Sequence, residues 1–215
     1  MDLVNRIEQI VKKTLEKDSS GHDWYHIDRV VQNANYLQSK EGGDRLIIQV
    51  AALLHDISDH KLNGGILNDG GRVSQRILLA EGTSEEFAKI VADIVDNVSF
   101  KGAEVEDSPH SLETAIVQDA DRLDAIGAIG IARVFAFGGS KGQLIYDPNL
   151  SPKIHSTFEE YVNSKTTSIN HFHEKLLLLK DRLHTDTARK IGQERHDFMK
   201  AFLKQFDLEW NSTFK

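Results

Sequence analysis

Imidazole and carboxylate side chains occur in three short segments whose spacing suits a metal site. His22 and His26 are four residues apart, so on a helix they share one face, and Arg29 follows His26 by about one turn. A single histidine in such a position is usually a surface residue that is hydrogen-bonded to water or to a neighbour. The pair therefore indicates a metal site only in combination with other ligands.

His55 and Asp56 form the second segment, directly after the apolar residues 50–54. The pattern before them predicts a buried helix, so two ionisable groups are delivered from its end. Burying such groups costs free energy unless another group compensates them. The dipeptide therefore requires a partner in the fold.

The third segment places Asp119, Asp121 and Asp124 between apolar residues of one predicted helix. Carboxylates so close together repel one another unless a cation or water relieves them. A solvent-exposed helix face is an alternative, since Asp121 and Asp124 have helical spacing. Asp119 and Asp121, however, are about 200° apart around a helix, so at least one of the acids should point inward or be paired.

Two imidazoles and two carboxylates would provide a ligand set for one divalent ion. The chain has no cysteine, which excludes both a thiolate site and a disulfide framework. Nitrogen and oxygen ligands together suit manganese, iron, nickel, cobalt or zinc. Such an ion lowers the pKa of a bound water and polarises a phosphoryl oxygen, so hydrolysis of a phosphate ester or anhydride is the predicted chemistry.

Helices are predicted to position these residues throughout the chain. Only 3 prolines occur in 215 residues, and apolar residues recur every three to four positions, with no convincing strand. Asp44 is the predicted N-cap of the helix that ends at the second segment, and another helix begins near Ser111. Thr83 and Glu86 have the spacing of a capping box at the start of a further helix.

The C-terminal part is predicted to contain a long loop and a helical hairpin. The loop extends from about Gly138 to Ser151, a stretch rich in glycine and proline, and the hairpin runs from about Phe158 to Phe206. An aromatic stripe at helical spacing either packs in the core or serves a partner or homodimer: Phe198, Phe202, Phe206 and Trp210. The histidines of this part are predicted to be surface residues: His171, His173, His184 and His196.

Composition limits the remaining function classes. A length of 215 residues with a 40% hydrophobic share fits one domain with a sizeable core. A formal net charge of −7 argues against non-specific nucleic-acid binding. The N-terminus lacks the features of a signal peptide, and no apolar stretch reaches the length that spans a bilayer, so a cytoplasmic protein without membrane or nucleic-acid partners is expected.

The order His26, His55-Asp56, Asp121 resembles the H…HD…D signature of the HD-domain phosphohydrolase superfamily. The stretches GHDWYHIDRV at residues 21–30 and DADRLDAIG at residues 119–127 resemble the YedJ/YpgQ subgroup. This resemblance implies an all-α, single-domain helical bundle of the HD-domain type. The domain would span residues 1–215, with a metal-binding core at about 21–139 and the helical hairpin at about 156–210.

Matching the signature residue by residue implies four metal ligands: His26, His55, Asp56 and Asp121. Asp119 and Asp124 would then be supporting acids. The same match implies that His22 contacts the substrate or one of the metal ligands and is not itself a ligand.

Four further residues are predicted to act beside the metal. Asp59 stands where related HD hydrolases carry an acid that orients or deprotonates the attacking water, although a surface acid at a helix end is an equal alternative. We predict Asp59 and Asp56 as catalytic residues. Lys61 could hold a transferring phosphoryl group or be an ordinary exposed lysine. Together with His22 and Arg29 it forms the predicted substrate-binding set.

Weaker candidates for substrate contacts are Asn97, Ser99, Lys101 and Arg133, for which solvent exposure or local capping is the commoner role.

The subgroup resemblance implies a small phosphorylated substrate, namely a nucleotide. The most specific prediction is that a deoxynucleoside triphosphate is cleaved to the monophosphate and pyrophosphate. Manganese is the favoured ion, and iron, nickel, cobalt, magnesium and zinc are alternatives. Competing functions are another phosphomonoesterase or phosphodiesterase activity, and a non-catalytic regulatory module that the metal merely stabilises. Asp59 and Lys61 favour the enzyme, because a purely structural metal site needs neither.

Overall fold

The computed structural model of the protein describes residues 2–15, 23–57, 69–98, 108–153 and 166–212. Every regular element within these ranges is a helix, and no strand occurs among them, so the predicted all-α class is confirmed. The described residues form two compact units, one that ends at Asp121 and one that begins at Arg122. The predicted limits of a single domain over residues 1–215, with its core and hairpin, stay a prediction.

Helix α3 is buried over its C-terminal half in the first unit. The helices of this unit are α1 (Leu3–Leu15), α2 (Trp24–Glu41), α3 (Arg45–Leu54), α4 (Gly70–Ala80), α5 (Glu85–Val98) and α6 (Leu112–Asp124), of which the last turn of α6 belongs to the second unit. Helix α3 packs against α1, α2 and α5, and α4 packs against α5. From Val50 to Leu54 every residue of α3 is buried, which brings the end of this helix into the interior.

Side-chain caps fix where these helices begin. The carboxylate of Asp44 accepts hydrogen bonds from the backbone N–H groups of Leu46 and Ile47 at 2.9 and 3.1 Å, so this predicted N-cap is confirmed. The predicted capping box at Thr83 is wrong by one residue. Ser84 Oγ accepts from the N–H of Phe87 at 3.2 Å, whereas the Thr83 hydroxyl donates to the carbonyl of Leu78.

The second unit contains α7 (Gly127–Ser140), α8 (Ser168–Glu174), a 3-10 helix (Leu176–Arg182) and α9 (Asp186–Trp210). Helix α9 packs against α7 and against the 3-10 helix. The loop predicted to begin at Gly138 begins only after Ser140. Gly138 and Gly139 form the last turn of α7, where Gly138 approaches the side chain of Ser168 so closely that a Cβ would overlap its hydroxyl.

The aromatic stripe of α9 has both packed and exposed members. The ring of Phe202 stacks on that of the buried Phe172 at a centroid distance of 5.8 Å, which confirms core packing for this residue. Phe198 and Trp210 are about half exposed. The homodimer therefore stays a prediction.

The prediction of surface histidines in this unit is only partly right. His173 is exposed, but His196 is buried, and His184 accepts a hydrogen bond from the buried Arg122 at 2.9 Å. No single helix among the described residues is long and apolar enough to cross a membrane, although the consecutive helices α6 and α7 together meet that test of length and composition.

Candidate metal centre

Two buried histidines face each other within the first unit. His26 lies in the first turn of α2, where the N-cap carboxylate of Asp23 accepts from its backbone N–H at 2.9 Å. His55 is the C-cap residue of α3. Each imidazole is 1% exposed, the rings meet edge to face, and the two Nε2 atoms are 3.3 Å apart.

The backbone fixes the tautomer of one of these imidazoles. His55 Nδ1 lies 2.8 Å from the carbonyl oxygen of Ala52, and a carbonyl oxygen can only accept, so Nδ1 carries the proton. Nε2 of the neutral ring is then an acceptor whose lone pair points toward His26. Histidines that bind metals are commonly oriented by this kind of hydrogen bond on the second ring nitrogen.

Two carboxylates approach both imidazoles. Asp56 Oδ2 lies 3.4 Å from His26 Nε2 and 3.6 Å from His55 Nε2. Asp121 Oδ1, from α6, lies 3.5 and 3.8 Å from the same two nitrogens. The carboxylate side chains are 18% and 29% exposed, so the cluster is buried on the histidine side and reaches solvent on the carboxylate side.

The spacing and chemistry of His26, His55 and Asp56 fit a divalent ion, and Asp121 approaches the same two imidazole nitrogens. Ligands on neighbouring octahedral positions, each about 2.1 Å from a metal, are about 3 Å apart. The nitrogen–nitrogen and nitrogen–oxygen distances here are 3.3 to 3.8 Å, and the ligand atoms of His26, His55 and Asp56 all lie within 4.8 Å of one another. Two imidazoles and two carboxylates are also the mixed set that first-row divalent ions accept.

The three aspartates of α6 have separate environments. Asp121 turns to the imidazoles, whereas Asp119 is fully buried. Asp124 is buried as well and accepts from Arg133 Nη1 at 2.9 Å. The expectation that at least one acid points inward or pairs is confirmed, and the pairing of Arg133 with Asp124 gives this arginine a structural role.

The structure also shows a hydrogen bond beside Asp121 that the sequence interpretation did not predict. The side-chain amide of Asn33, on α2, donates to the carbonyl of Ala120 at 3.2 Å, and Ala120 immediately precedes Asp121. Asn33 follows His26 by seven residues, two helical turns, so the two share one face of α2. A polar residue at this spacing within the apolar stripe of α2 was the available signal.

Several predicted site residues lie outside the described part of the chain: His22, Asp59, Lys61, Ser99 and Lys101. Arg29 is half-buried on α2, one turn beyond His26. Asn97 donates to the carbonyl of Asp93 within its own helix at 2.8 Å. The substrate-binding and catalytic roles assigned to these residues stay predictions.

Comparison with known proteins assigns the family. The sequence-family model of the HD domain matches residues 23–126 of this chain. YpgQ of Bacillus subtilis is 39% identical over 211 residues, which cover 96% of this chain and 95% of YpgQ. The chain belongs to the HD-domain family, in the subgroup of YpgQ. The HD-domain fold predicted from the signature is thereby confirmed.

Solved structures of related proteins resemble this chain over nearly its full length. A protein from Lactobacillus plantarum superposes with a TM-score of 0.85 at 35% identity, over 97% of both chains. An HD-superfamily hydrolase from Bacillus thuringiensis gives a TM-score of 0.73 at 43% identity, over 97% of this chain and 96% of its own. The structure of Bacillus subtilis YpgQ in complex with ADP gives 0.73 at 34% identity, over 96% and 97%. The chain is accordingly a hydrolase of the HD superfamily, with a candidate site for a divalent metal.

Proposed function

We propose that this protein is a metal-dependent phosphohydrolase that acts on a nucleotide, and that it cleaves a deoxynucleoside triphosphate to the monophosphate and pyrophosphate. The observation that carries the proposal is the approach of Asp56 and Asp121 to the facing imidazoles of His26 and His55, with both carboxylates partly exposed. A purely structural metal site would be closed. The ADP complex of YpgQ, a relative over nearly the full length, supports a nucleotide as the ligand.

In this proposal the protein groups around the metal each have a distinct role. A divalent ion held by the four ligands, with manganese favoured, would polarise a phosphoryl oxygen and lower the pKa of a water. The hydrogen bond from His55 to the Ala52 carbonyl keeps the imidazole in its ligating tautomer. Asp59 would orient the attacking water and accept its proton, a role for which a carboxylate within hydrogen-bond reach is suited.

Cations must hold the substrate locally, because a chain with a net charge of −7 does not attract a triphosphate as a whole. Lys61, Arg29 and His22 are the proposed groups, and they would offset the charge that develops on the phosphoryl oxygens. A cytoplasmic location and a homodimer also remain part of the proposal. Both follow from the sequence interpretation.

The test measures the products that form from nucleotides. Metal-stripped protein, with and without added Mn²⁺, is incubated with deoxynucleoside and ribonucleoside triphosphates, and orthophosphate is resolved from pyrophosphate. We expect Mn²⁺-dependent pyrophosphate release that falls at least about 1,000-fold in His55→Ala, because a ligand is lost. His173→Ala, which removes an exposed imidazole from α8, is the matched control and should retain full activity.

Two other results would replace the proposal. Phosphate release from generic phosphomonoesters or phosphodiesters but from no nucleotide would assign a different esterase activity. Tight Mn²⁺ binding without turnover of any phosphorylated compound would assign the regulatory module, in which the metal stabilises the fold.

A further inference from the structure

Arginine side chains hold the C-terminal end of α6. Arg195, from α9, donates through Nη1 to the carbonyl oxygen of Leu123. Arg133, from α7, donates to the carboxylate of Asp124 at 2.9 Å. Arg122 is itself buried and donates to His184 Nε2 at 2.9 Å and to the carbonyl of Arg182. All of these contacts lie within the second unit and engage the last three residues of the helix.

Arg195 adds a second donor to the Leu123 carbonyl at the end of α6, which also accepts from the Ile126 N–H at 3.3 Å. The last carbonyls of an α-helix have no partner within the helix, and cations are favourable near this end because of the helix dipole. Burial lowers the pKa of the Arg195 guanidinium, and the nearby charge of Asp124 opposes that shift. A desolvated cation is thus placed beside the last turn of α6, with a carboxylate to compensate it.

The chain leaves room for this arginine. Gly127 has a φ of +77°, and a Cβ at that position would lie 2.9 Å from Arg195 Cγ and 3.1 Å from its Cβ. An alanine at this position would therefore be strained and would also crowd the arginine stem. The glycine and Arg195 together allow α6 to end against α9.

Asp121 precedes Leu123 by two residues, which is about 3 Å along the helix axis. The turn that follows is already tight, with three-residue bonds from Ala125 N–H to the Arg122 carbonyl at 3.2 Å and from Ile126 N–H to the Leu123 carbonyl at 3.3 Å. Helix ends fray, and fraying here would rotate the carboxylate of Asp121 away from the two imidazoles.

We propose that Arg195 is a positioning residue for the metal centre, because it fixes the end of α6 and through it the carboxylate of Asp121. The inference rests on the ligand set of the proposed function. It adds a residue that is not one of the four proposed ligands and that follows Asp121 by 74 positions in the sequence.

The experiment measures binding of Mn²⁺ alone to metal-stripped protein, by calorimetry and by the electron paramagnetic resonance spectrum of the ion. We expect Arg195→Met to raise the Kd for Mn²⁺ about tenfold, as the loss of an outer-shell partner does. Arg195→Lys should recover most of the affinity, since an ammonium can still donate to the Leu123 carbonyl. Arg189→Met is the matched control, because Arg189 lies on the same helix and also donates to a backbone carbonyl, that of Leu183 at 2.9 Å.

The inference is overturned if Arg195→Met binds Mn²⁺ like the wild type, or if Arg189→Met weakens binding equally. It is also overturned if Asp121→Ala leaves the Kd unchanged, or if the wild type binds no Mn²⁺. Should Arg195→Met not fold, Arg133→Gln removes another contact of the same helix end and should raise the Kd several-fold. Nucleotide turnover is scored separately: the expected pattern of Mn²⁺ affinities without hydrolysis would refute the proposed substrate and leave the role of Arg195 standing.

Discussion

The metal centre and the polar interior of the second unit bury similar side chains in opposite arrangements. In the metal centre, atoms that can serve as metal ligands face one another: His26 Nε2 lies 3.3 Å from His55 Nε2, and Asp56 and Asp121 approach the same nitrogens. In the second unit, acceptors face donors. The buried carboxylate of Glu174 accepts from the N–H of Lys153 at 3.1 Å and from the Thr166 hydroxyl at 2.8 Å.

This difference shows that the arrangement of buried polar groups, rather than burial itself, separates a metal site from a structural network. Donor–acceptor pairs satisfy each other and need nothing further. Converging acceptors are costly when buried, unless a cation joins them. A matched pair of aspartates on α6 allows the distinction to be tested directly, since Asp121 belongs to the first arrangement and Asp124 to the second.

The largest effects are expected from exchanging these two aspartates for asparagine. Asp121→Asn should weaken Mn²⁺ binding at least about 100-fold, because a ligand charge is lost, and should barely change the stability of the metal-free protein. Asp124→Asn should lower the free energy of unfolding by about 3 kcal/mol, because it removes the negative charge of a buried ion pair with Arg133. Calorimetric Mn²⁺ titration and urea unfolding of the metal-free variants measure both quantities.

The contrast between the two regions fails if the two variants behave alike. A strongly destabilised Asp121→Asn in the absence of metal would mean that the acceptor cluster is a structural network. An Asp124→Asn of unchanged stability would mean that its ion pair contributes nothing to the fold.

A second effect, of intermediate size, concerns two glycines of α7. A Cβ on Gly130 would overlap the backbone carbonyl of Ala125, which cannot move aside, whereas a Cβ on Gly139 would meet no atom within 4 Å. Gly130→Ala should therefore cost about 2 to 3 kcal/mol of stability. Gly139→Ala should be neutral or stabilise the protein by up to about 1 kcal/mol, since it favours the helix and restricts the unfolded chain.

Thermal and urea unfolding of the two variants decide this prediction. If Gly139→Ala costs as much as Gly130→Ala, then residues 138–140 do not end α7 as a regular helical turn. The loop that the sequence predicted from Gly138 onward would then be the better description.

These glycines also show where sequence interpretation reached its limit. Glycine disfavours helices, so Gly138 and Gly139 predicted a loop. In the structure a Cβ at position 138 would overlap the Ser168 hydroxyl, so glycine is required inside this helical turn, and such a tertiary contact leaves no local signal. The cap at Ser84 was missed for a related reason: Thr83 has the same capping chemistry, but its hydroxyl is already bonded to the Leu78 carbonyl.

The four metal ligands stay a prediction, but the proximity of their side chains was easier to predict, because each segment contributes a pattern of its own. His55 and Asp56 follow an apolar run that predicts a buried helix, and the spacing of His26 and Asp121 completes the HD signature. What the sequence could not supply is the support: the contact of Asn33 with Ala120 and that of Arg195 with Leu123 join distant segments. Such contacts depend on how helices pack, which no local spacing encodes.

The smallest expected effect is a pH dependence of stability that arises from one histidine of the second unit, His171. Burial lowers the pKa of His171 to about 3, with the charge of Lys175 as a smaller cause. Between pH 6.5 and 3 the unfolded chain therefore binds a proton at His171 that the folded protein does not bind. The contribution of this residue to the free energy of unfolding is complete above pH 6.5 and decreases as the pH falls below 6.5. The metal-free protein should lose about 1 to 2 kcal/mol from this group between pH 7.5 and pH 5.

Urea unfolding at pH 7.5, 6.5 and 5 isolates this contribution when the wild type is compared with His171→Asn, which should show a flatter dependence on pH. His173→Asn, two residues along the same helix and exposed, should keep the slope of the wild type. Equal slopes for wild type and His171→Asn would show that the imidazole is protonated at no cost in the folded state. The second unit would then tolerate a protonated, buried imidazole at α8. The second unit and the metal centre would in that case differ only in how their polar groups are arranged, because a buried charge would not be costly in either.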